Sequence, residues 1–195
     1  MALRAGGREV ADSVVASRVL ASPNRRVRRA DELLEFVIVH GTWMAGDEGA
    51  LARLTDPVAE VSCHYYITRA GEVIQLVAEA EVAFHAGKSR AVNATGVEIE
   101  DLNGWSLGIE IANSGPFGGR VPTPAEEASP DWATVEPYTE AQYGAVVTLL
   151  KDIMERNRGI QPARVLGHDA VAPGRKSDPG PHFDWMRLIA AGVAA

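Results

Sequence analysis

The segment Phe36-Val37-Ile38-Val39 constrains the fold more than any other part of the chain. Successive side chains of a strand point to opposite faces, so a run that is apolar and β-rich at every position needs cover on both sides. That makes it a central strand of a covered sheet, and His40, directly after it, falls at the sheet's rim. The clearest covering helix is Glu140 to Asn157. Tyr143, Val146, Val147, Leu150, Ile153 and Met154 recur there at helical spacing, Thr139 and Gln142 form a capping box, and Gly159 ends the run.

The remaining elements are shorter. Asp47 to Leu54 reads as a helix with Ala50, Leu51 and Leu54 on one face, stopped before Pro57. Val61 to Thr68 and Glu72 to Val77 flank Arg69-Ala70-Gly71 as a β-hairpin. Alternation in its first strand places Val61, Cys63, Tyr65 and Ile67 on one face and Ser62, His64, Tyr66 and Thr68 on the other. Residues 85–104 read as a long loop, Ser106 to Ala112 as a strand, and 113–137 as a second long loop rich in Gly, Pro and Ser. A short strand at Arg164 to Leu166 leads into His168, and Phe183 to Ala190 can close the chain as a helix. Strands and helices that alternate without a strict βαβ rhythm point to the α/β class, with a central mixed β-sheet flanked by helices.

A chain of 195 residues has room for one domain. Residues 1–33 lack sustained periodicity and read as an N-terminal extension, with the domain at 34–195. A net charge of −7 repels a phosphate backbone, which excludes a nucleic-acid partner. The one basic cluster, Arg25, Arg26, Arg28 and Arg29, reads as a solvated arm. No apolar run approaches the ~18 residues of a membrane span. Cys63, the single cysteine, excludes an internal disulfide and a cysteine-only metal site. Asp12 and Arg18 interrupt the apolar stretch from Val10 to Leu20, so no signal peptide is read, and a cytoplasmic monomer is expected.

His40 and His168 each follow a short apolar segment, so both imidazoles can project from the same rim, and Asp178 follows ten residues after His168. Two histidines and one carboxylate leave a tetrahedral zinc a fourth position for water, as catalytic sites do. Spacing by itself does not separate this arrangement from two unrelated histidines and an aspartate.

The segments around these residues carry a resemblance. They are Val37-Ile38-Val39-His40, Val61-Ser62-Cys63-His64-Tyr65, Phe84-His85-Ala86-Gly87, Leu107-Gly108-Ile109-Glu110-Ile111, and Val165-Leu166-Gly167-His168 followed by Ala172-Pro173-Gly174-Arg175-Lys176-Ser177-Asp178-Pro179-Gly180-Pro181. In this order, from Phe36 to Leu188, the chain resembles the type 2 N-acetylmuramoyl-L-alanine amidases, the AmpD-like zinc amidases that share a fold with phage lysozyme-like amidases and peptidoglycan-recognition proteins.

The resemblance implies one zinc per chain held by His40, His168 and Asp178, with Glu110 and Lys176 catalytic beside it. The substrate would be peptidoglycan or a muropeptide fragment, cut between N-acetylmuramic acid, or its anhydro form, and the L-alanine of the stem peptide. Glu110 would act as general base, with Gly108 and Ala112 on its face leaving room for substrate, and Lys176 would stabilise the oxyanion. His85, His64 and Asn113 are the candidate substrate contacts, each also readable as structural. Arg175 fits either a loop-backbone or a substrate contact, and His182 reads as surface. Gly41 and Thr42 after the first ligand, Phe84 in place of tryptophan, Asp169-Ala170 after His168 and the long 113–137 loop depart from the family pattern. The alternative in function is a peptidoglycan-binding module that has lost hydrolysis, and the alternative in location is release to the cell wall by phage-type lysis or non-classical export.

Overall fold

In the computed structural model, which describes residues 10–120, 123, 125–126 and 129–195, the two-sided strand lies inside a six-stranded mixed sheet. In spatial order its strands are β1 (Arg18–Val19), β5 (Val73–Gln75), β4 (Tyr65–Ile67), β9 (Ser106–Ile111), β3 (Phe36–Gly41) and β10 (Val165–Gly167). Neighbours run parallel except β4 and β5, the expected hairpin.

The alternation of β3 sorts the core into layers. Val37 and Val39 join Tyr65, Ile67, Leu107, Ile109 and Ile111 on one face. There they meet Val146, Leu149, Leu150 and Ile153 of α2 (Glu140–Arg156) and Leu188 of α4 (Trp185–Ala190). The α2 capping box forms as expected, Thr139 Oγ1 accepting from the Gln142 amide at 3.1 Å while Gln142 Oε1 accepts from the Thr139 amide at 2.9 Å. On the other face Phe36 and Ile38 pack with Ala86, Leu102 and Val171. A separate cluster there joins Ala50 and Leu54 of α1 (Asp47–Thr55) to Cys63, Tyr66, Ile74, Leu76 and Ala112. The register sets His40 opposite Glu110 and Glu110 opposite Tyr66, so both polar residues continue this second face between its two apolar clusters.

Four expectations are corrected. Residues 10–33 are not an extension: the amides of Ser17 and Leu20 donate to Val73 and Gln75 carbonyls at 2.9 and 2.8 Å, and Ser22 and Asn24 are buried. β2 (Arg25–Val27) then pairs antiparallel with β6 (Glu81–Ala83). Strands of two or three residues have no periodicity to read, which is why this segment looked unstructured. The arginine run is not a solvated arm either. Arg25 pairs with Glu81 at 2.9 Å, Arg26 with Glu32 at 2.5 Å, and Arg28 donates to the carbonyls of Glu79, Glu81 and Gly104. Within the 85–104 stretch, β7 (Arg90–Val92) and β8 (Glu98–Glu100) form a hairpin whose turn is tied by Asn93 Oδ1, accepting from the Thr95 and Val97 amides. Cys63 is buried, but with Tyr66 and Ile74 instead of Tyr65, because regular strand alternation begins only at Tyr65.

One buried polar group ties the first layer together. Glu79 accepts from the Tyr65 hydroxyl at 2.7 Å, from the Arg156 guanidinium at 2.6 and 2.9 Å, and from Asn157 Nδ2 at 2.9 Å. Truncation would strand a buried hydroxyl and a partly buried cation at once. Glu79→Ala is expected to cost about 2–4 kcal/mol, read as a lowered urea midpoint at unchanged slope. An unshifted midpoint would mean the network contributes nothing net.

Candidate active site

The parallel pairing of β10 with β3 places Gly167 beside Val39, so the next residues, His168 and His40, lie level at the rim. His168 opens the short helix α3 (His168–Val171), whose following turn returns the chain to Asp178: the Lys176 amide donates to the Ala172 carbonyl at 3.0 Å and the Asp169 amide to the Asp178 carbonyl at 2.9 Å. His40 Nδ1 and His168 Nδ1 stand 2.9 Å apart, and Asp178 Oδ2 is 3.1 Å from each. These three buried side chains, two imidazole nitrogens and a carboxylate oxygen converging on one point, can hold a metal ion. The far ring nitrogens are engaged elsewhere, His168 Nε2 with the Ala86 carbonyl at 3.1 Å and His40 Nε2 with His85 Nδ1 at 3.0 Å.

The electrostatics suit such a role. Burial drives the His40 pKa down to about 4, against the opposing pull of Asp178, so its imidazole is neutral at pH 7. Burial works to raise the Asp178 pKa, yet the two imidazoles 3.1 Å from its Oδ2, His168 and His40, outweigh it and hold the carboxyl below its ordinary range. Two donors are thus in ligating form at neutral pH.

Glu110 projects beside them. Burial, with the Asp178 charge, pushes its pKa up to about 8 against the opposing Lys176 ammonium, and its Oε2 is buried with no hydrogen-bond partner. This carries a sign for stability. Between the ordinary value of 4.5 and about 8 the folded, metal-free protein holds a proton the unfolded chain has lost, so stability falls as pH rises through that window. Metal-free Glu110→Gln is therefore expected to melt several degrees above metal-free wild type at about pH 9 and together with it at about pH 4. Parallel melting at both would show that Glu110 ionises as an ordinary surface carboxylate.

A cleft of about 740 Å³ opens over these groups and is bordered by His40, Glu110, His168, Lys176 and Asp178. Lys176 is exposed at its edge. Trp43, Phe84 and Phe117 supply apolar wall, Arg53 and Arg120 positive charge; no spacing pattern in the sequence singles out these wall residues.

The candidate substrate contacts fare differently. His64 is fully buried, its Nδ1 accepting from the Gly108 amide at 3.0 Å and its Nε2 lying 3.2 Å from the Glu81 carbonyl, so it is a structural residue bridging β9 and β6. Asn113 is also buried and consumed: its Nδ2 donates to the Glu136 carbonyl and its Oδ1 accepts from the Gly115 amide, pinning the start and end of the second long loop. His85 does border the cleft, with Nε2 3.2 Å from Ser106 Oγ. Its ring fills the space expected for substrate beside Gly108, where a Cβ would come within 2.5 Å of His85 Cγ. Arg175 grips loop backbone, donating to the carbonyls of Ala86 at 2.6 Å and Lys88 at 2.7 Å. His182 is half-buried, stacked between Tyr138 and Trp132.

The family described as N-acetylmuramoyl-L-alanine amidase matches residues 30–181. The chain belongs to that family. Among relatives, the N-acetylmuramoyl-L-alanine amidase AmiD of Escherichia coli is 35% identical over 179 residues, 88% of this chain and 58% of AmiD. The 1,6-anhydro-N-acetylmuramyl-L-alanine amidase AmpD of Enterobacter cloacae is 29% identical over 197 residues, 91% of this chain and 90% of AmpD. The chain thus spans little more than half of AmiD but nearly the whole of AmpD. Solved structures agree with this amidase family. A selenomethionine AmpD derivative superposes with a TM-score of 0.71 at 29% identity, covering 93% of this chain and 98% of that one. AmiD from E. coli, in complex with anhydro-N-acetylmuramic acid-L-Ala-D-γ-Glu-L-Lys, gives 0.65 at 33% identity, covering 90% and 60%.

Proposed function

We propose that this amidase-family chain is a zinc enzyme that hydrolyses the amide between N-acetylmuramic acid, or its anhydro form, and the L-alanine of the stem peptide. The observation that carries the reading is the convergence of His40 Nδ1, His168 Nδ1 and Asp178 Oδ2 beside the unpartnered Oε2 of Glu110. A zinc ion held by those three would supply Lewis acidity, polarising the scissile carbonyl and acidifying the attacking water.

The chain's own groups do the rest. Glu110, unpartnered and facing the cleft, takes the proton as water oxygen bonds to the carbonyl carbon, and returns it to the departing alanine nitrogen as the C–N bond breaks. Lys176 borders the same cleft and stabilises the negative charge that develops on the carbonyl oxygen. The products are the muramic acid carboxylate and a peptide with a free N-terminal alanine. Arg53 and Arg120 give the wall a positive charge in a chain of net −7, which suits a stem peptide whose γ-linked glutamate keeps its α-carboxylate free. A complete donor set together with Glu110 argues against the alternative of a non-catalytic binding module.

Among the described residues no helix is long and apolar enough to cross a membrane. The test is mass spectrometry of products from intact sacculi and from soluble anhydro-muropeptides. A released peptide beginning with alanine is expected. Intact substrate in both incubations, with zinc bound, would remove the amidase reading. Cleavage of the soluble fragments alone would favour recycling in the cytoplasm, and cleavage of sacculi would favour action on the wall.

A further inference from the structure

His85 lies beside the metal-ligating set, and the amidase reading leaves it without a part. Its surroundings form a hydrogen-bonded line with a readable direction. His40 Nε2 is 3.0 Å from His85 Nδ1, His85 Nε2 is 3.2 Å from Ser106 Oγ, and Ser106 Oγ donates to the Leu102 carbonyl at 2.6 Å. A carbonyl only accepts and a hydroxyl has a single hydrogen, so the serine proton belongs to the Leu102 end. Were it turned to His85 instead, two bare oxygens would face each other at 2.6 Å in a fully buried position.

The direction then propagates. Ser106 Oγ accepts from His85 Nε2–H, His85 Nδ1 is left as an acceptor, and His40 Nε2–H donates to it. His40 Nδ1 is consequently bare, and it is this atom that faces His168 Nδ1 and Asp178 Oδ2.

The neighbouring residue does the same for the second histidine. The Ala86 carbonyl can only accept, so His168 Nε2 carries its hydrogen and His168 Nδ1 is bare. The dipeptide is itself held: Asn103 Oδ1 accepts from the His85 amide at 3.0 Å and the Ala86 amide at 2.7 Å, and Arg175 donates to the Ala86 carbonyl at 2.6 Å. Gly108 completes the fit, because any side chain there would overlap the His85 ring.

We propose that His85 is a positioning residue that, through Ser106 and the Leu102 carbonyl, locks His40 in the tautomer presenting a bare Nδ1 to the metal, while Ala86 does so for His168. This rests on the zinc reading but not on the identity of the substrate. Neither nitrogen of His85 is left over for a muropeptide.

The test uses the full chain and zinc alone. Long-range proton–nitrogen NMR of the metal-free protein is expected to show His40 wholly in the Nε2–H tautomer, and a mixture in His85→Leu. Zinc affinity, measured by competition with a chelating dye, is expected to fall about 10–100-fold in His85→Leu and by less in Ser106→Ala. His85→Asn, which restores an acceptor near the position of Nδ1, is expected to recover much of the loss, as a merely space-filling role would not allow. An Nδ1–H tautomer at His40 in the wild type, or wild-type zinc affinity in either folded variant, overturns the proposal. If His85→Leu fails to fold, the wild-type tautomer and Ser106→Ala still decide it. Because neither measurement involves turnover, a protein that binds zinc with locked histidines yet cuts no muropeptide would sink the amidase reading and leave this one standing.

Discussion

Alanine in place of Glu110 is expected to lower turnover of a muramoyl-peptide by about 10²–10⁴-fold while zinc stays bound, the usual contribution of a positioned general base. The carboxylate sits level with His40 on the adjacent strand but outside the converging group of His40, His168 and Asp178, and its Oε2 has no partner to lose. Its removal should not loosen the fold either, since the ionised group is a burden to the metal-free protein above its ordinary pKa. A nearby divalent cation favours the charged form, drawing the pKa down from about 8 towards neutrality, where a base is most effective. Lys176→Ala is expected to cost about 10²–10³-fold, as for the loss of one oxyanion donor. Both groups serve one transition state, so the double variant should be much less impaired than the product of the single losses. Near-normal turnover in zinc-loaded Glu110→Ala would assign the base to another group.

The second large effect follows from the ligands. Exhaustive chelation is expected to abolish hydrolysis and added zinc to restore it, with one zinc per chain by elemental analysis. His168→Ala should lose both the metal and the activity, because its Nδ1 is one of the three donors that converge among the described residues and the remaining pair cannot complete a tetrahedral site. Glu110→Ala and His168→Ala therefore differ in zinc content while both lose turnover, which separates chemistry from metal binding. Full activity of rigorously metal-free protein would end the zinc reading.

Much of this was legible because strong local patterns happened to point at the site. Phe36 to Val39, apolar on both faces, announced a central strand, and the helix bearing Val146, Leu150 and Ile153 announced its cover. That His40 and His168 share a rim follows from both standing at the ends of neighbouring strands. What could not be read depends on partners distant in the chain. Nothing near His64 reveals that the Gly108 amide claims its ring, and nothing near Asn113 reveals the Glu136 carbonyl. His85 looked like a group left free for substrate because the serine that occupies it lies 21 residues further on. Leu149, fully buried in α2, was missed in the apolar stripe for a simpler reason: the stripe is wider than the spacing used to trace it.

The pairing of β1 with β5 bears on how the chain can be cut and joined. A fragment begun at residue 34, the border that periodicity suggests, would leave the backbone groups of Val73 and Gln75 that now pair with residues 17–20 without partners. An exposed strand edge is a template for other chains, so such a truncation would invite aggregation. Tags and fusion partners belong ahead of residue 10, where the sheet's last strand stays with the sheet it seals.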